Sequence, residues 1–435
     1  MQASARILLF SAEGSDTDLD KRLNDRGFST VRVQDRGEAL RRLAHSHADV
    51  AIVPDGSGAA EGLRRDLDTL GEHRTVPVIA LGHDADQVPE SDIDVIARPF
   101  AEAELFRRLG SLSRLVTMQD ELERRAATNA SYGVKSRYVE AVVEDASEPR
   151  VLTAPANAAD AGLCQQALEH AAMLATCEKA ADAPTRLMRG DFDALILWTG
   201  KDAQESLYLC GDLRSNSRFY NTPILLLADK DQFESPEVPY EAGASDVVYR
   251  PVSPELLRVR CLRLVKQHRY RLAMQRVLAA CRDQDNQDSL TGLYNHGYLH
   301  DHLDRQIASA RTSGKALSVG VFRVANMQAL NRAIGYGAGD HLLRQVGSML
   351  RGLVRIEDLP ARLDGRRFGV VLPDTPRDAA LPVLHRLAGV VNHTEFALAD
   401  GETPIRVELL TGCAELAECD DAQSLLRRAR EAVDA

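Results

Sequence analysis

The stretch DVAIVPD, residues 49–55, is a short apolar strand that ends in a carboxylate. Similar strands flank it at residues 6–12 (RILLFSA), 76–82 (VPVIALG) and 94–100 (DVIARPF). Amphipathic stretches such as EALRRLAHSH, residues 38–47, separate them. Short buried strands that alternate with helices are typical of a parallel sheet with helices on both faces. The sequence therefore predicts a doubly wound α/β domain over residues 1–120, with its functional groups at the carboxyl ends of the strands.

The same strand pattern occurs a second time over residues 148–268. Its strands are RVLTAPA (150–156), FDALILW (192–198), TPILLLA (222–228) and DVVYRPVSPELL (246–257). This internal duplication predicts a second domain of the same fold, joined to the first by a linker at residues 121–147. Residues 269–287 continue a helical pattern without Pro or Gly, which predicts a helical linker into a third domain at 288–435.

Composition and charge exclude several classes of function. The chain of 435 residues is long enough for about three domains. It contains no apolar run near the ~18 residues that cross a bilayer and no secretory signal, so we expect a cytoplasmic protein without a transmembrane segment. The formal net charge of -11 argues against nucleic acid as a partner. The seven cysteines lie singly, without the spacing of a zinc site, and no metal site is expected from them.

The third domain contains RIEDLPARLDGRRF, residues 355–368. This stretch resembles the central hairpin of the GGDEF domain, the catalytic domain of diguanylate cyclases, which join two GTP molecules into cyclic di-GMP. In that family an R-x-x-D element precedes a hairpin with the sequence G-G-(D/E)-E-F. Arg355 and Asp358 match the first element, and residues 364–368 (DGRRF) occupy the hairpin. Residues 288–296, DSLTGLYNH, match the family's opening D-x-L-T-G-L-x-N-R except at His296. The resemblance implies an α/β domain of the nucleotidyl-cyclase kind.

The positions that serve catalysis in the family are altered. The resemblance places Arg366 and Arg367 where the family has acidic residues, and Arg323 and Ala325 where it has the acids of the first strand. A guanidinium group can neither ligate a metal ion nor accept a proton. At ~4 Å and an effective dielectric near 20, a pair of unit charges interacts by about 4 kcal/mol, so cations in place of anions oppose a divalent ion by roughly 10 kcal/mol or more. We therefore expect neither a metal ion nor cyclase activity; a weakly active cyclase is the alternative.

The positions that recognise guanine are retained. By resemblance, Arg355, Asp358 and Arg386 form the family's inhibitory cyclic di-GMP site. A planar guanidinium matches the O6/N7 edge of guanine, and a carboxylate matches its N1 and N2 donors. Asn331 and Asp340 fall on the positions that recognise the guanine of GTP in the catalytic site. The sequence therefore predicts cyclic di-GMP as the ligand, without a cofactor, and leaves a GTP sensor as an alternative.

The two duplicated domains resemble response-regulator receivers. In that family a carboxylate at the end of the third strand accepts a phosphoryl group, and Asp55 lies at or one residue past this position. The supporting positions differ from the family at Ser11, Ala12, Gly82 and Arg98. In the second copy the acceptor position is Trp198, and Arg250 replaces the usual lysine. A scaffold driven by phosphorylation of Asp55 is thus a further alternative, and the second copy is expected to be an adaptor.

The order of the three domains resembles the receiver–receiver–GGDEF response regulators. For a member with an altered catalytic hairpin, the resemblance implies an effector of bacterial cell-cycle signalling that moves to a cell pole. It also implies the adaptor RcdA as a partner, in degradation of the regulator CtrA by the ClpXP protease. A homodimer is expected from the pair of receivers.

Overall fold

The structure, a computed structural model, describes residues 5–10, 17–45, 48–54, 59–69, 76–82, 93–96, 102–133, 147–216, 219, 221–280, 286–397 and 404–434. The predicted phosphoacceptor Asp55 lies outside the described residues, as do Ser11, Ala12 and Arg98. In the described part of the chain no helix is both long and apolar enough to cross a membrane.

The first sheet contains five parallel strands in the order β2-β1-β3-β4-β5. The strands are β1 (Arg6–Phe10), β2 (Ser29–Val33), β3 (Val50–Pro54), β4 (Val78–Leu81) and β5 (Ile93–Ile96). The helices are α1 (Thr17–Asp25), α2 (Arg36–His45), α3 (Ala59–Thr69) and α4 (Glu102–Ser131). Apolar cores lie on both faces of the sheet. This strand order is that of the flavodoxin-like fold.

The second sheet repeats this topology, in the order β10-β9-β8-β6-β7. Its strands are β6 (Arg150–Ala154), β7 (Met173–Thr176), β8 (Ala194–Trp198), β9 (Ile224–Ala228) and β10 (Asp246–Tyr249). Its helices are α5 (Ala158–Leu168), α6 (Ala183–Arg189), α7 (Ala203–Ser215), α8 (Val238–Glu241) and α9 (Pro254–Ala280). The central strands β8 and β9 are buried throughout, as strands covered on both faces must be.

The third domain has an antiparallel sheet in the order β12-β13-β11-β14. Its strands are β11 (Leu317–Val324), β12 (Leu359–Asp364), β13 (Arg367–Pro373) and β14 (Leu409–Glu415). Its helices are α10 (His296–Ser313), α11 (Met327–Leu353), α12 (Arg377–Asn392) and α13 (Ala422–Asp434). Because strand side chains alternate between faces, one core packs under α11 and α12 and the other under α10 and α13. The predicted fold class, two flavodoxin-like domains followed by this α/β domain, is confirmed.

Two long helices cross the domain boundaries that the sequence suggested. Helix α4 continues past residue 120 to Ser131, so residues 121–131 of the predicted linker are its last turns. Helix α9 begins in the second domain and runs through residue 268 to Ala280, into the segment predicted as a helical linker. Helix α4 contacts both α9 and α10, and it therefore touches all three domains.

The duplicated domains meet through equivalent charged residues. Arg108 bonds Asp94 at 3.1 Å in the first domain, and Arg260 bonds Asp246 at 2.8 Å in the second, with the same spacing along the chain. Arg263 of α9 forms ion pairs with both aspartates. Its contact with Asp246 lies within the second domain, and its contact with Asp94 crosses the interface. All of these side chains are nearly inaccessible to solvent. Buried charges need such partners, and their pairing holds the two domains in one arrangement.

Candidate ligand-binding site

A cleft of about 1400 Å³ lies where the three domains meet. Its arginines come from every domain and are Arg26, Arg107, Arg114, Arg214, Arg271, Arg355 and Arg386. The acidic residues that line it are Glu357, Asp374 and Asp378, and aromatic rings are supplied by Phe28, Phe106 and Tyr240. Arginines thus outnumber carboxylates in the lining, which suits an anionic ligand with flat apolar groups.

The third domain brings Arg355 and Arg386 to one wall of this cleft. Arg355 follows the end of α11, where the chain turns toward β12. Arg386 projects from α12, whose other face buries Leu384 and Leu387 against the sheet. The helical period of α12 leaves Arg386 exposed while its neighbours are in the core. Two of the three residues predicted for cyclic di-GMP therefore share a surface.

Asp358 has a different environment. Its side chain is buried, with 2% of the residue exposed, and it is not among the described residues that line the cleft. Its Oδ2 accepts a hydrogen bond from the backbone N–H of Arg355 at 2.9 Å, whereas Oδ1 has no hydrogen-bond partner. Burial, together with the neighbouring Glu357 carboxylate, raises the pKa of Asp358 to about 7. In this arrangement the Asp358 carboxyl group caps the turn instead of facing the ligand cleft.

Two arginines of α4 contact this turn, and sequence reasoning did not find them. Arg125 is fully buried and donates from Nη2 to the carbonyl oxygens of Glu357 (3.1 Å) and Asp358 (2.8 Å). Arg114 donates from Nε to the Glu357 carboxylate at 3.1 Å. The contacts join residues more than 230 positions apart. The local indication in the sequence was the i,i+4 spacing of Glu121 and Arg125, and this spacing is equally typical of an ion pair on a solvent-exposed helix surface. In the structure the two side chains are bonded at 2.5 Å.

In the predicted catalytic hairpin, arginines face each other. Arg323 of β11 and Arg367 of β13 are directly opposed in the sheet register. Arg323 Nε lies 2.9 Å from one oxygen of Asp434, and Arg367 Nη2 lies 3.1 Å from the other. Asp364 caps the hairpin, because its Oδ1 accepts the backbone N–H groups of Arg366 (3.2 Å) and Arg367 (3.1 Å). The cluster is a set of ion pairs between the hairpin, β11 and the last helix.

This donor set does not fit a divalent cation. Mg²⁺ takes oxygen ligands, and the four altered positions offer three guanidinium groups and the methyl group of Ala325. The nearby carboxylates, Asp364 and Asp434, are both paired with Arg367. In the described part of the chain no cluster of three or more His, Cys, Asp or Glu side chains is placed to hold a metal ion.

Asn331 and Asp340 flank a bend in α11. The bend lies at Gly335, whose φ of +84° is not helical and favours glycine. Asn331 packs on Gly339, where an added Cβ would come within 2.0 Å of Asn331 Oδ1, so a larger residue at this position would displace the Asn331 side chain. Asn331 Oδ1 is buried without a hydrogen-bond partner, and Asp340 is exposed. The bend thus brings Asn331 beside the residue that precedes Asp340.

The opening motif of the domain holds the hairpin. Asp288 Oδ1 accepts from the backbone N–H (2.8 Å) and hydroxyl (2.7 Å) of Thr291 and from Arg362 Nη1 (3.0 Å). Burial works against ionisation, but these bonds outweigh it and lower the pKa of Asp288. Asn295 caps α10 by accepting from the Tyr298 N–H at 2.9 Å. The matching residues of this motif therefore have structural roles.

Residues 285–435 match the family described as "Diguanylate cyclase, GGDEF domain". They form a GGDEF domain. Response regulator PleD of Caulobacter vibrioides is 27% identical over 446 aligned positions, which cover 99% of this chain and 96% of PleD. Diguanylate cyclase DosC of Escherichia coli is 31% identical over 35% of this chain and 33% of DosC. The crystal structure of the GGDEF domain of DgcB from Caulobacter crescentus in complex with c-di-GMP covers 35% of this chain and 88% of that chain, at 23% identity and a TM-score of 0.34. The alignment with PleD spans the duplicated domains as well as the GGDEF domain, and it supports the receiver–receiver–GGDEF order.

In the second receiver-like domain, Arg250 occupies the edge of the sheet at which the carboxyl ends of the strands meet. Arg250 bonds Asp160 at 3.2 Å and Asp229 at 3.3 Å, and it donates to the carbonyl oxygen of Thr199 at 3.2 Å. Its guanidinium group also lies 5.0 Å from the centroid of the Trp198 ring. An indole cannot accept a phosphoryl group, and both nearby carboxylates are paired. The site predicted to be inactive in phosphotransfer is thus filled by a cation–π and ion-pair cluster.

Proposed function

We propose that this protein is a cyclic di-GMP effector of the response-regulator type and that its GGDEF domain does not synthesise cyclic di-GMP. The observation that carries the proposal is the position of Arg355 and Arg386 on one wall of an arginine-rich cleft between the domains. Cyclic di-GMP carries two phosphates and two guanines, and arginine is the residue that bonds both groups in a planar, bidentate way. The aromatic lining offers surfaces on which a guanine can stack.

The charge of the hairpin supports the second part of the proposal. Catalysis by metal-assisted phosphoryl transfer needs carboxylates that hold the cation and orient the attacking group. Here Arg323 and Arg367 engage Asp434, and Asp364 is engaged by the hairpin itself. A cation that entered this cluster would have to displace paired arginines and then face their charge. A cyclase assay with GTP and Mg²⁺ or Mn²⁺ is expected to yield no cyclic di-GMP.

We further propose that the effector acts in the cytoplasm on protein partners. Ligand bound between domains favours one arrangement of them, and a partner surface can be exposed or covered in response. The proposed role is in cell-cycle signalling at a cell pole, with RcdA and the ClpXP protease as partners in CtrA degradation, and it comes only with the resemblance to receiver–receiver–GGDEF regulators. Capture of purified RcdA by this protein, measured with and without cyclic di-GMP, tests this part; equal capture in both conditions contradicts it.

A second candidate function is a GTP sensor. The observation in its favour is the buried Oδ1 of Asn331, which has no hydrogen-bond partner, next to the exposed carboxylate of Asp340. The N1 and N2 donors of a guanine base match the exposed carboxylate of Asp340. Two variants distinguish the candidate functions. Asp340→Ala abolishes binding of GTP if the protein is a GTP sensor. Arg386→Ala weakens binding of cyclic di-GMP if the protein is a cyclic di-GMP effector.

A further inference from the structure

Several arginines of the cleft are already bonded to protein groups. Arg114 bonds the carboxylate of Glu357, with its Nε at 3.1 Å. Arg214 and Arg271 donate to main-chain carbonyl oxygens of the second receiver, at distances of 2.7 to 2.9 Å. These contacts hold the walls of the cleft together, because each joins segments that are distant in the sequence or tightens a turn. An anionic ligand gains most from arginines that are not used in this way.

Two arginines of the first receiver have a different environment. Arg26, between α1 and β2, and Arg107, in α4, line the cleft and are exposed. Within the described ranges, neither guanidinium group forms an ion pair or a hydrogen bond. Each lies over an aromatic ring instead. Arg26 is 5.0 Å from the ring centroid of Phe106, and Arg107 is 5.4 Å from that of Tyr240. Their N–H groups are therefore available to a ligand.

Aromatic contact orients a guanidinium group without using its hydrogen-bond donors. The face of the group rests on the ring, whereas the N–H groups point outward in the guanidinium plane. Phe106 is itself stacked on Phe28, with ring centroids 6.2 Å apart and an interplanar angle of 12°. Phe28 and Tyr240 belong to the hydrophobic cores of their domains. The rings are thus held in place, and binding of a ligand costs less ordering of the two arginines.

The charge that remains available in the cleft is positive. Two of the carboxylates that line it are paired, Glu357 with Arg114 and Asp374 with Lys315. Arg386 of α12 resembles the two arginines of the first receiver, because no described residue bonds its guanidinium group. These three arginines outnumber the remaining carboxylate of the described lining. The excess of positive charge suits a ligand with two negative charges.

We propose that Arg26 and Arg107 form an anion subsite on the first receiver, and that cyclic di-GMP bound to the GGDEF wall of the cleft also contacts this subsite through a phosphate group. The inference rests on the function proposed above. A cyclic dinucleotide carries two phosphates, so each wall bonds one of them. The ligand then connects the first receiver to the GGDEF domain and stabilises the arrangement in which the cleft exists.

The subsite is complete only while the two receivers are docked. Tyr240, on which Arg107 rests, belongs to the second receiver. Earlier in α4, Glu104 bonds Arg260 of the second receiver at 3.0 Å. Ion pairs between the receivers therefore keep the ring of Tyr240 under Arg107. The affinity for the ligand is thus linked to the docking of the two receivers as well as to the GGDEF domain.

The experiment is calorimetric titration of the full-length protein with cyclic di-GMP, using the double variant Arg26→Met/Arg107→Met. Methionine keeps contact with the aromatic rings and removes the charge and the donors. The matched control is Arg65→Met, which removes an exposed arginine of α3 that does not line the described cleft. The double variant is expected to bind at least about tenfold more weakly than the wild type and the control. Because both arginines are exposed, the urea midpoint is expected to stay the same.

Two further measurements separate ligand contact from an effect on the fold. Arg26→Lys/Arg107→Lys keeps both charges and is expected to recover most of the lost affinity. A lysine variant that binds as weakly as the methionine variant would contradict an anion subsite. In the wild-type protein, phenylglyoxal labels exposed arginines, and cyclic di-GMP is expected to protect Arg26 and Arg107 while Arg65 stays reactive.

The subsite and the effector function fail in different ways. Binding by the wild type that the double methionine variant retains in full, without protection of Arg26 and Arg107, overturns the subsite and leaves the effector function standing. Absence of binding by the folded wild-type protein overturns both. Weaker binding that lysine restores supports the subsite. The protection measurement needs only the wild-type protein, so it decides the question even if the double variant does not fold.

Discussion

Arg323 and Arg367 lie directly opposite each other on β11 and β13, and both form ion pairs with the carboxylate of Asp434. Like charges at opposed positions of a sheet are destabilising unless an anion lies between them. Asp434 supplies that anion from the last turn of α13 and so ties the end of the GGDEF domain to its sheet.

The first prediction concerns this triad. Asp434→Asn removes the charge between the two arginines and is expected to lower the free energy of unfolding by about 1 kcal/mol, a modest loss because the carboxylate is partly exposed. Chemical denaturation measures it. Glu431→Gln, on the same helix with an exposed pair to Arg427, is the control and should have little effect. If Asp434→Asn costs as much in an Arg323→Met background as in the wild type, the shared ion pair is not the cause.

Lys315 makes a stronger link between the first receiver and the GGDEF domain. Its Nζ lies 2.7 Å from Asp49 and 2.9 Å from Asp374, and it is nearly inaccessible to solvent. Burial opposes its charge, but the two aspartates outweigh this and raise its pKa. Lys315→Met removes the cation that pairs with the buried Asp49 carboxylate, and a cost of roughly 3–5 kcal/mol is expected from thermal or urea unfolding.

Two comparisons test that explanation of the Lys315 effect. Lys179→Met removes an exposed lysine and should change little. Neutralising both partners, in Lys315→Met/Asp49→Asn/Asp374→Asn, is expected to recover most of the lost stability, because no unpaired charge then remains. Failure of the triple variant to recover any stability would mean that the lysine acts through packing and not through its charge.

The third stability prediction uses the single tryptophan of the chain. Trp198 is buried under the guanidinium group of Arg250, which also bonds Asp160 and Asp229. Arg250→Met is expected to destabilise the second receiver by about 2 kcal/mol and to alter the emission of Trp198 in the folded state. Urea unfolding followed by tryptophan fluorescence reports both. Arg258→Met, at an exposed position of α9, is the control; equal shifts in the two variants would rule out a specific role of the Arg250 cluster.

Asp358 predicts a pH dependence. Its pKa is raised to about 7 in the folded protein, whereas an unfolded aspartate titrates near 3.9. The folded state therefore holds a proton that the unfolded state has lost, and this group makes stability fall as pH rises from about 4 to about 7, by at most about 1.4 kcal/mol per pH unit. Asp358→Asn keeps an acceptor for the Arg355 N–H and cannot ionise. The stability of this variant relative to wild type is expected to increase from pH 5 to pH 8. A difference in unfolding free energy that stays constant over this range would contradict the raised pKa of Asp358. The control is Asp340→Asn, at an exposed site.

The strand pattern predicted both receiver-like sheets because periodicity and burial are local properties of the sequence. The places of Arg355 and Arg386 in the third domain could also be predicted, because their spacing along the chain from the hairpin follows the family motif. The burial of Asp358 and the bonds from α4 to its turn were not predictable, because α4 precedes this turn by more than 200 residues. Arg125 was missed for the same reason: nothing near it in the sequence distinguishes an arginine that crosses a domain interface from one that faces solvent.

The central claim is tested most directly by calorimetric titration of the purified protein with cyclic di-GMP, beside Arg355→Ala and the control Arg344→Ala, which removes an exposed arginine of α11. The effector function predicts micromolar or tighter binding by the wild type and Arg344→Ala, and a loss of at least about tenfold in Arg355→Ala. No binding by the folded wild-type protein, or binding that Arg355→Ala leaves unchanged, would contradict it.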